Sequence, residues 1–169
     1  MPSILFVCTA NRFRSPLAAA ILRKTLSQMG MSDSWEIASA GTWAENGLPA
    51  LSYVAEAAQR FGIDLSAHRS QRVSEALLSQ YDLILVMQAS QREALLSEFP
   101  SLEERIYLLS HVAERRSYDI PDVPGSAHEL LAVITELQSL IRRGTESICV
   151  LATFLYNTRQ RAQESKAAL

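Results

Sequence analysis

Two residues near the N-terminus are of types that could do covalent chemistry together. Cys8 offers a sulfur nucleophile, and Arg14 offers a planar cation with a fork of N–H donors. Thr9, Ala10, Asn11, Arg12 and Phe13 lie between them, and Ser15 and Pro16 follow. A loop of that length can curl until its main-chain N–H groups converge on one centre, forming an anion-binding concavity. Arg14 can then hold two oxygens of a phosphate in a bidentate grip that lysine cannot match. The chemistry indicated is attack of a thiolate on phosphorus, with the segment from Thr9 to Ser15 holding the phosphate oxygens. The positive loop and a hydrogen bond from Ser15 would both favour the thiolate. A lone cysteine beside a strand is more often a small buried hydrophobe, so position has to decide.

Position favours the chemical reading. Ser3–Val7 is an apolar run that reads as a buried strand, and Leu17, Ile21, Leu22, Leu26 and Met29 recur near helical spacing from Pro16 to about Gln28. Ser15 and Pro16 suit a helix start, with Ser able to cap the free donors. The loop therefore lies at the carboxyl end of a strand, facing a helix N-terminus, where anions bind. Further strands are expected at 35–38, 83–87 and 106–109, and further helices at 51–61, 73–80, 90–98 and 127–143. Gly144 is expected to end the last helix. Residues 1–144 then form one domain and 145–169 a C-terminal extension, apolar from Ile148 to Leu155 and polar from Thr158.

Composition sets the remaining bounds. The chain has 169 residues, enough for one core, and a net charge of −2 with no block of like charge, which argues against a nucleic-acid binder. Its two cysteines, Cys8 and Cys149, show no metal-ligand or disulfide spacing, and no run reads as a membrane span or signal peptide. A cytoplasmic location, where free thiols persist, is the expectation. Cys149, flanked by Ile148 and Val150, reads as structural.

The segment Cys8-Thr9-Ala10-Asn11-Arg12-Phe13-Arg14-Ser15-Pro16 resembles the loop Cys-x-Gly-Asn-x-Cys-Arg-Ser-Pro of the low-molecular-weight protein tyrosine phosphatases. Ser39-Ala40-Gly41-Thr42, the stretch 62–70 with His68, the strand 81–87 and Asp119-Ile120-Pro121-Asp122 extend the likeness in order, to about residue 143. The resemblance implies an α/β three-layer sandwich: a four-stranded parallel sheet of order 2-1-3-4 between helices, with a phosphate-binding loop after strand 1. It implies no metal and no cofactor. It also implies Cys8 as nucleophile forming a phosphocysteine, Arg14 as phosphate clamp and Asp122 as acid and then base, with Asp119 competing for that role. Asn11, Ser15, Ser39 and His68 would brace the loop. The substrate implied is a phosphotyrosine protein, a tyrosine kinase or one of its targets.

Departures from the pattern raise specific expectations. Ala10 replaces a glycine, so its backbone must avoid positive φ or accept strain. Phe13 replaces a cysteine, which removes a protective disulfide partner for Cys8. Arg12, Phe13, Trp43 and Val123 are expected at the substrate rim, with Trp43 or Phe13 stacking on the substrate ring, although Trp43 could equally be core. Competing readings are a phosphoarginine or small phosphate-ester phosphatase, an arsenate reductase, and a non-catalytic phosphate-binding module. The arsenate route needs further cysteines, and the segment 88–91 holds none.

Overall fold

The structure is a computed structural model that describes residues 1–122 and 125–167. Four strands form it: β1 Ser3–Cys8, β2 Glu36–Gly41, β3 Leu83–Val86 and β4 Ile106–Leu108. All pair in parallel in the order β2-β1-β3-β4, with Cys8 opposite Gly41 and Val7 opposite Val86. Six helices cover the sheet: α1 Arg14–Gln28, α2 Ser52–Gln59, α3 Glu75–Leu78, α4 Ala89–Glu98, α5 Leu109–Glu114 and α6 Ala127–Ala167.

The strand sequences are continuously apolar because both faces of the sheet are covered. Ile4, Phe6 and Cys8 of β1 pack with Leu83 and Leu85 of β3 on the face shared by α1 and α6. Leu5, Val7, Ile84 and Val86 point to the opposite face, into a smaller cluster with Leu78, Leu95 and Leu102. Burying each such side chain contributes about 1.5–3 kcal/mol. β1 is thus fixed between two neighbours and two layers, and its last residue, Cys8, is held with it.

Two expectations fail in the second half of the chain. Gly144 does not stop a helix, because α6 runs on for 41 residues, about 60 Å, and the boundary expected at 144/145 lies inside it. The glycine serves a close crossing with α5: a Cβ at residue 144 would lie 2.4 Å from the Cβ of Ala113. Beyond it Ile148, Ala152 and Leu155 are buried at helical spacing in the main core, which keeps the helix going where caps and propensity would let it end. The second failure is at Leu109, expected in the fourth strand, which instead opens the short α5. Elsewhere the differences are of a residue or two, except that β2 runs three residues past the expected end, to Gly41, and α3 covers only part of 73–80.

Candidate active site

The loop after β1 is pinned to the exit of β2. Thr42 N–H donates to the Cys8 carbonyl and Trp43 N–H to the Thr9 carbonyl, each at 2.9 Å. So close an approach needs glycine at 41, where a Cβ would stand 2.4 Å from the Thr9 carbonyl oxygen. The turn itself is made by Asn11, which takes the left-handed conformation at φ 56°. Asparagine tolerates that region better than other non-glycine residues, so Ala10 is spared a positive φ and the expected strain is absent. None of the hydrogen bonds among the described residues uses a main-chain N–H from Ala10 to Ser15 as donor.

Asn11 is wholly buried and every polar atom of its side chain is used. Its Nδ2 donates to Ser15 Oγ and Ser39 Oγ, both at 2.9 Å, and its Oδ1 accepts from Gln71 N–H at 2.9 Å. His68 Nε2 lies 2.7 Å from the Asn11 carbonyl, which can only accept, so that nitrogen carries the ring proton. Burial holds His68 below the usual histidine value; the Asn11 hydrogen bond opposes this, and Arg23 and Arg69 reinforce it. The four bracing residues named from sequence are therefore brought together around one turn.

Ser15 does not cap α1. The residue preceding the helix is Phe13, with no side-chain cap, and Ser15 Oγ lies 2.9 Å from Cys8 Sγ and 3.2 Å from the Ala40 carbonyl. The hydroxyl has one proton for these two neighbours. With a thiol at Cys8, S–H donates to Oγ and the hydroxyl donates to Ala40; with a thiolate, the hydroxyl can turn to sulfur.

Arg14 is 1% exposed, yet its guanidinium is only partly satisfied. Nη1 donates to the Ile120 carbonyl at 3.0 Å. Nε and Nη2, the parallel donors of the side edge, have no hydrogen-bond partner among the described residues. Nη2 lies 3.0 Å from Asp122 Oδ1, an ion contact without hydrogen-bond alignment, and Asp122 is 51% exposed. Asp119 is committed elsewhere: its Oδ1 accepts from Ala89 N–H at 2.8 Å, at the start of α4.

The rim differs from expectation at one position. Phe13 is 5% exposed and packs in the main core beside α1, because an apolar ring at the first turn of a buried helix is better placed inward. It is not a rim residue. Trp43 is 76% exposed and so not core, with the Arg72 guanidinium 5.2 Å from its ring centre. Arg12 reaches sideways, Nε donating to the Pro49 carbonyl at 2.8 Å. Val123 lies outside the described residues.

A family described as low molecular weight phosphotyrosine protein phosphatase matches residues 3–149. The chain belongs to that family. Membership places it among hydrolases of the protein tyrosine phosphatase class. A relative in Ralstonia nicotianae, described as "Probable low molecular weight protein-tyrosine-phosphatase EpsP", is 35% identical over 145 residues, covering 86% of this chain and 92% of that protein. A protein-arginine-phosphatase of Geobacillus stearothermophilus is 31% identical, over 86% of this chain and 95% of that one. Among solved structures, a mutant of the YwlE arginine phosphatase, described as having a phosphorylated active-site serine in place of a cysteine, superposes with a TM-score of 0.79 at 27% identity, over 94% of this chain and 98% of that one. The four-stranded sheet in the order 2-1-3-4 is the architecture of the family's solved members.

Within this phosphatase, two glutamines that sequence reading passed over hold the site together. Gln91, 4% exposed, accepts from Met87 and Gln88 N–H and donates to Thr9 Oγ1 at 3.1 Å, tying α4 to the loop. Gln71 donates to the Ser39 carbonyl at 3.0 Å. Neither sits in a motif with a chemical signature, since each acts through partners distant in sequence. Cys149 is half-buried, and burial pushes its thiol up to about 11, so it stays protonated near neutral pH. No helix among the described residues is long and apolar enough to cross a membrane.

Proposed function

We propose that this chain removes phosphate from phosphotyrosine side chains of proteins by way of a phosphocysteine at Cys8. The observation that carries the reading is the buried Arg14 guanidinium, whose Nε and Nη2 lack hydrogen-bond partners among the described residues, in the same loop as the Cys8 sulfur. A buried donor pair without an acceptor is costly unless a ligand supplies one, and a phosphate presents two oxygens at matching spacing. Cys8 Sγ attacks phosphorus in line while Arg14 and the loop N–H groups from Ala10 to Ser15 hold the equatorial oxygens. Asp122, exposed and beside Arg14, donates a proton to the departing tyrosine oxygen and then takes one from the attacking water. Water displaces sulfur, and the Ser15 hydroxyl receives the thiolate by turning from Ala40.

Rim chemistry supports phosphotyrosine over phosphoarginine. The exposed Trp43 offers an aromatic face to a phenyl ring, and the Arg12 cation repels the positive guanidino group of phosphoarginine. The arginine phosphatases among the relatives keep phosphoarginine as the second reading. Supply of the substrate requires phosphoryl transfer to tyrosine, so the counterpart is a tyrosine kinase or its targets. Two free cysteines suit a reducing compartment, which we take to be the cytoplasm.

The deciding experiment compares hydrolysis of phosphotyrosine, phosphoserine and phosphoarginine peptides by wild type, Cys8→Ser and Asp122→Ala. Phosphotyrosine selectivity is expected, with turnover abolished in Cys8→Ser, which still binds phosphate, and kcat lowered about 10²–10⁴-fold in Asp122→Ala. Selectivity for phosphoarginine would replace the substrate assignment. Absence of turnover with every peptide would leave only a phosphate-binding module.

A further inference from the structure

The second half of α6 lies beyond residue 149, where the family match ends. Its inner face is held to the body: Ile148, Ala152 and Leu155 are buried, and Arg159 Nη1 meets Asp82 Oδ1 at 2.6 Å. Asp82 immediately precedes β3, so Arg159 sits at the amino end of the strands, opposite to the end that carries the phosphate loop. The outer face is different. Val150 and Phe154, one helical turn apart, are each 64% exposed, and they flank a groove of about 450 Å³ that Tyr107, Val112 and Leu151 help to line. Singly exposed apolar residues need no explanation, but an aligned pair beside a groove on a rigid helix marks a contact surface.

The charges around that pair say what fits. Along this face the exposed residues run Arg143, Glu146, Val150, Phe154, Asn157, Arg161 and Glu164, all within an arc of about 80° on a helix of 3.6 residues per turn. In signs the order is plus, minus, apolar, apolar, uncharged polar, plus, minus. Laid antiparallel on an identical stripe with Arg143 facing Glu164 of the second copy, the same register sets Glu146 against its Arg161. Two-fold symmetry repeats both pairs, sets the two Phe154 rings beside the axis, and places each Val150 against Asn157 of the second copy. Parallel pairing would instead set like charge against like. Arg143 already contacts Glu114 at 3.1 Å and has donors to spare.

We propose that this face of α6 is a two-fold interface through which the chain pairs with a second copy of itself, antiparallel, with Phe154 at its centre and Val150 flanking it. A self-complementary patch is what an isologous dimer requires, and charged flanks fix register as they do in paired helices. None of the stripe's residues is among those that form or brace the phosphate loop, so both loops stay open in the dimer. Turnover is therefore independent of pairing.

Sedimentation velocity across the micromolar range tests this, on wild type, Phe154→Glu, Glu146→Arg and the double variant Glu146→Arg with Arg161→Glu. Wild type is expected to dimerise, Phe154→Glu to be monomeric, and Glu146→Arg to weaken pairing about tenfold. The double variant, in which the swapped charges face each other again, restores it. Helix content and hydrolysis of p-nitrophenyl phosphate stay at wild-type level in all four. A wild type that remains monomeric throughout the range, or a double variant that pairs no better than the single reversal, overturns the proposal. Should Phe154→Glu lose helix content, the two charge variants still decide it.

Discussion

Two buried charges sit at opposite ends of the sheet's central strands, and they are treated differently. Asp82, 2% exposed, is saturated: its Oδ2 accepts from Ser3 N–H and Ser3 Oγ, each at 2.8 Å, and its Oδ1 meets Arg159. Arg14, 1% exposed, has one donor bonded to the Ile120 carbonyl, an unaligned ion contact to Asp122, and two N–H-bearing nitrogens without hydrogen-bond partners among the described residues. A saturated buried charge staples chain to chain, here the start of β1 to the start of β3 and to α6. An unsaturated one stores binding capacity for a ligand, and the protein tolerates its cost where the ligand acts.

If that contrast is right, substitutions at the two ends should separate activity from stability. The largest effect is expected at Arg14. Arg14→Lys keeps the charge and loses the paired donors, so kcat/KM on a phosphotyrosine peptide should fall about 10³-fold while the denaturant midpoint stays near wild type. A large loss of stability with activity partly retained would make Arg14 a staple like Asp82. Next comes Asp82→Ala, which leaves Ser3 N–H and Oγ without their acceptor and frees Arg159. It should cost about 3 kcal/mol in chemical denaturation with kcat of the folded enzyme unchanged. Loss of turnover in folded protein would mean the two ends are not independent.

The smallest effect sharpens the account of the loop. Burial, aided by Arg23 and Arg69, holds His68 below the ordinary histidine value, so the unfolded chain takes up its proton first as pH falls. Its contribution is complete above the ordinary value of about 6.5 and is lost as pH drops through the folded value. His68→Gln keeps an N–H donor for the Asn11 carbonyl without the titration. Its stability relative to wild type should therefore rise as pH is lowered from about 7 to about 5, read by urea unfolding at each pH. A difference that stays flat with pH would remove His68 from the linkage.

Much of the phosphate loop was legible because it is local. Cys8, Arg14 and the helix after Pro16 lie within one strand-loop-helix unit, and spacing alone says that such a unit can surround an anion. Resemblance to the family added Asn11, Ser39 and His68, which the structure does gather at one turn. Phe13 was misplaced because periodicity does not say which way the first residue before a buried helix points. Gln91 was missed because its bond to Thr9 spans 82 positions, and Arg14 meets the Ile120 carbonyl across 106. Gly144 was misread for the same reason: a glycine that admits Ala113 looks, in sequence, like one that ends a helix.

By itself, then, the sequence determined the alternation of apolar runs and amphipathic segments, and with it a parallel sheet whose first loop carries Cys8 and Arg14. Those features depend on contacts between near neighbours, and hydrophobic spacing records them. Only the tertiary structure decided which donors of Arg14 stay unbonded, which aspartate stands beside it, and how far α6 runs. Each of these depends on which distant groups the packed core brings within hydrogen-bond or van der Waals reach, and such meetings leave no period in the chain.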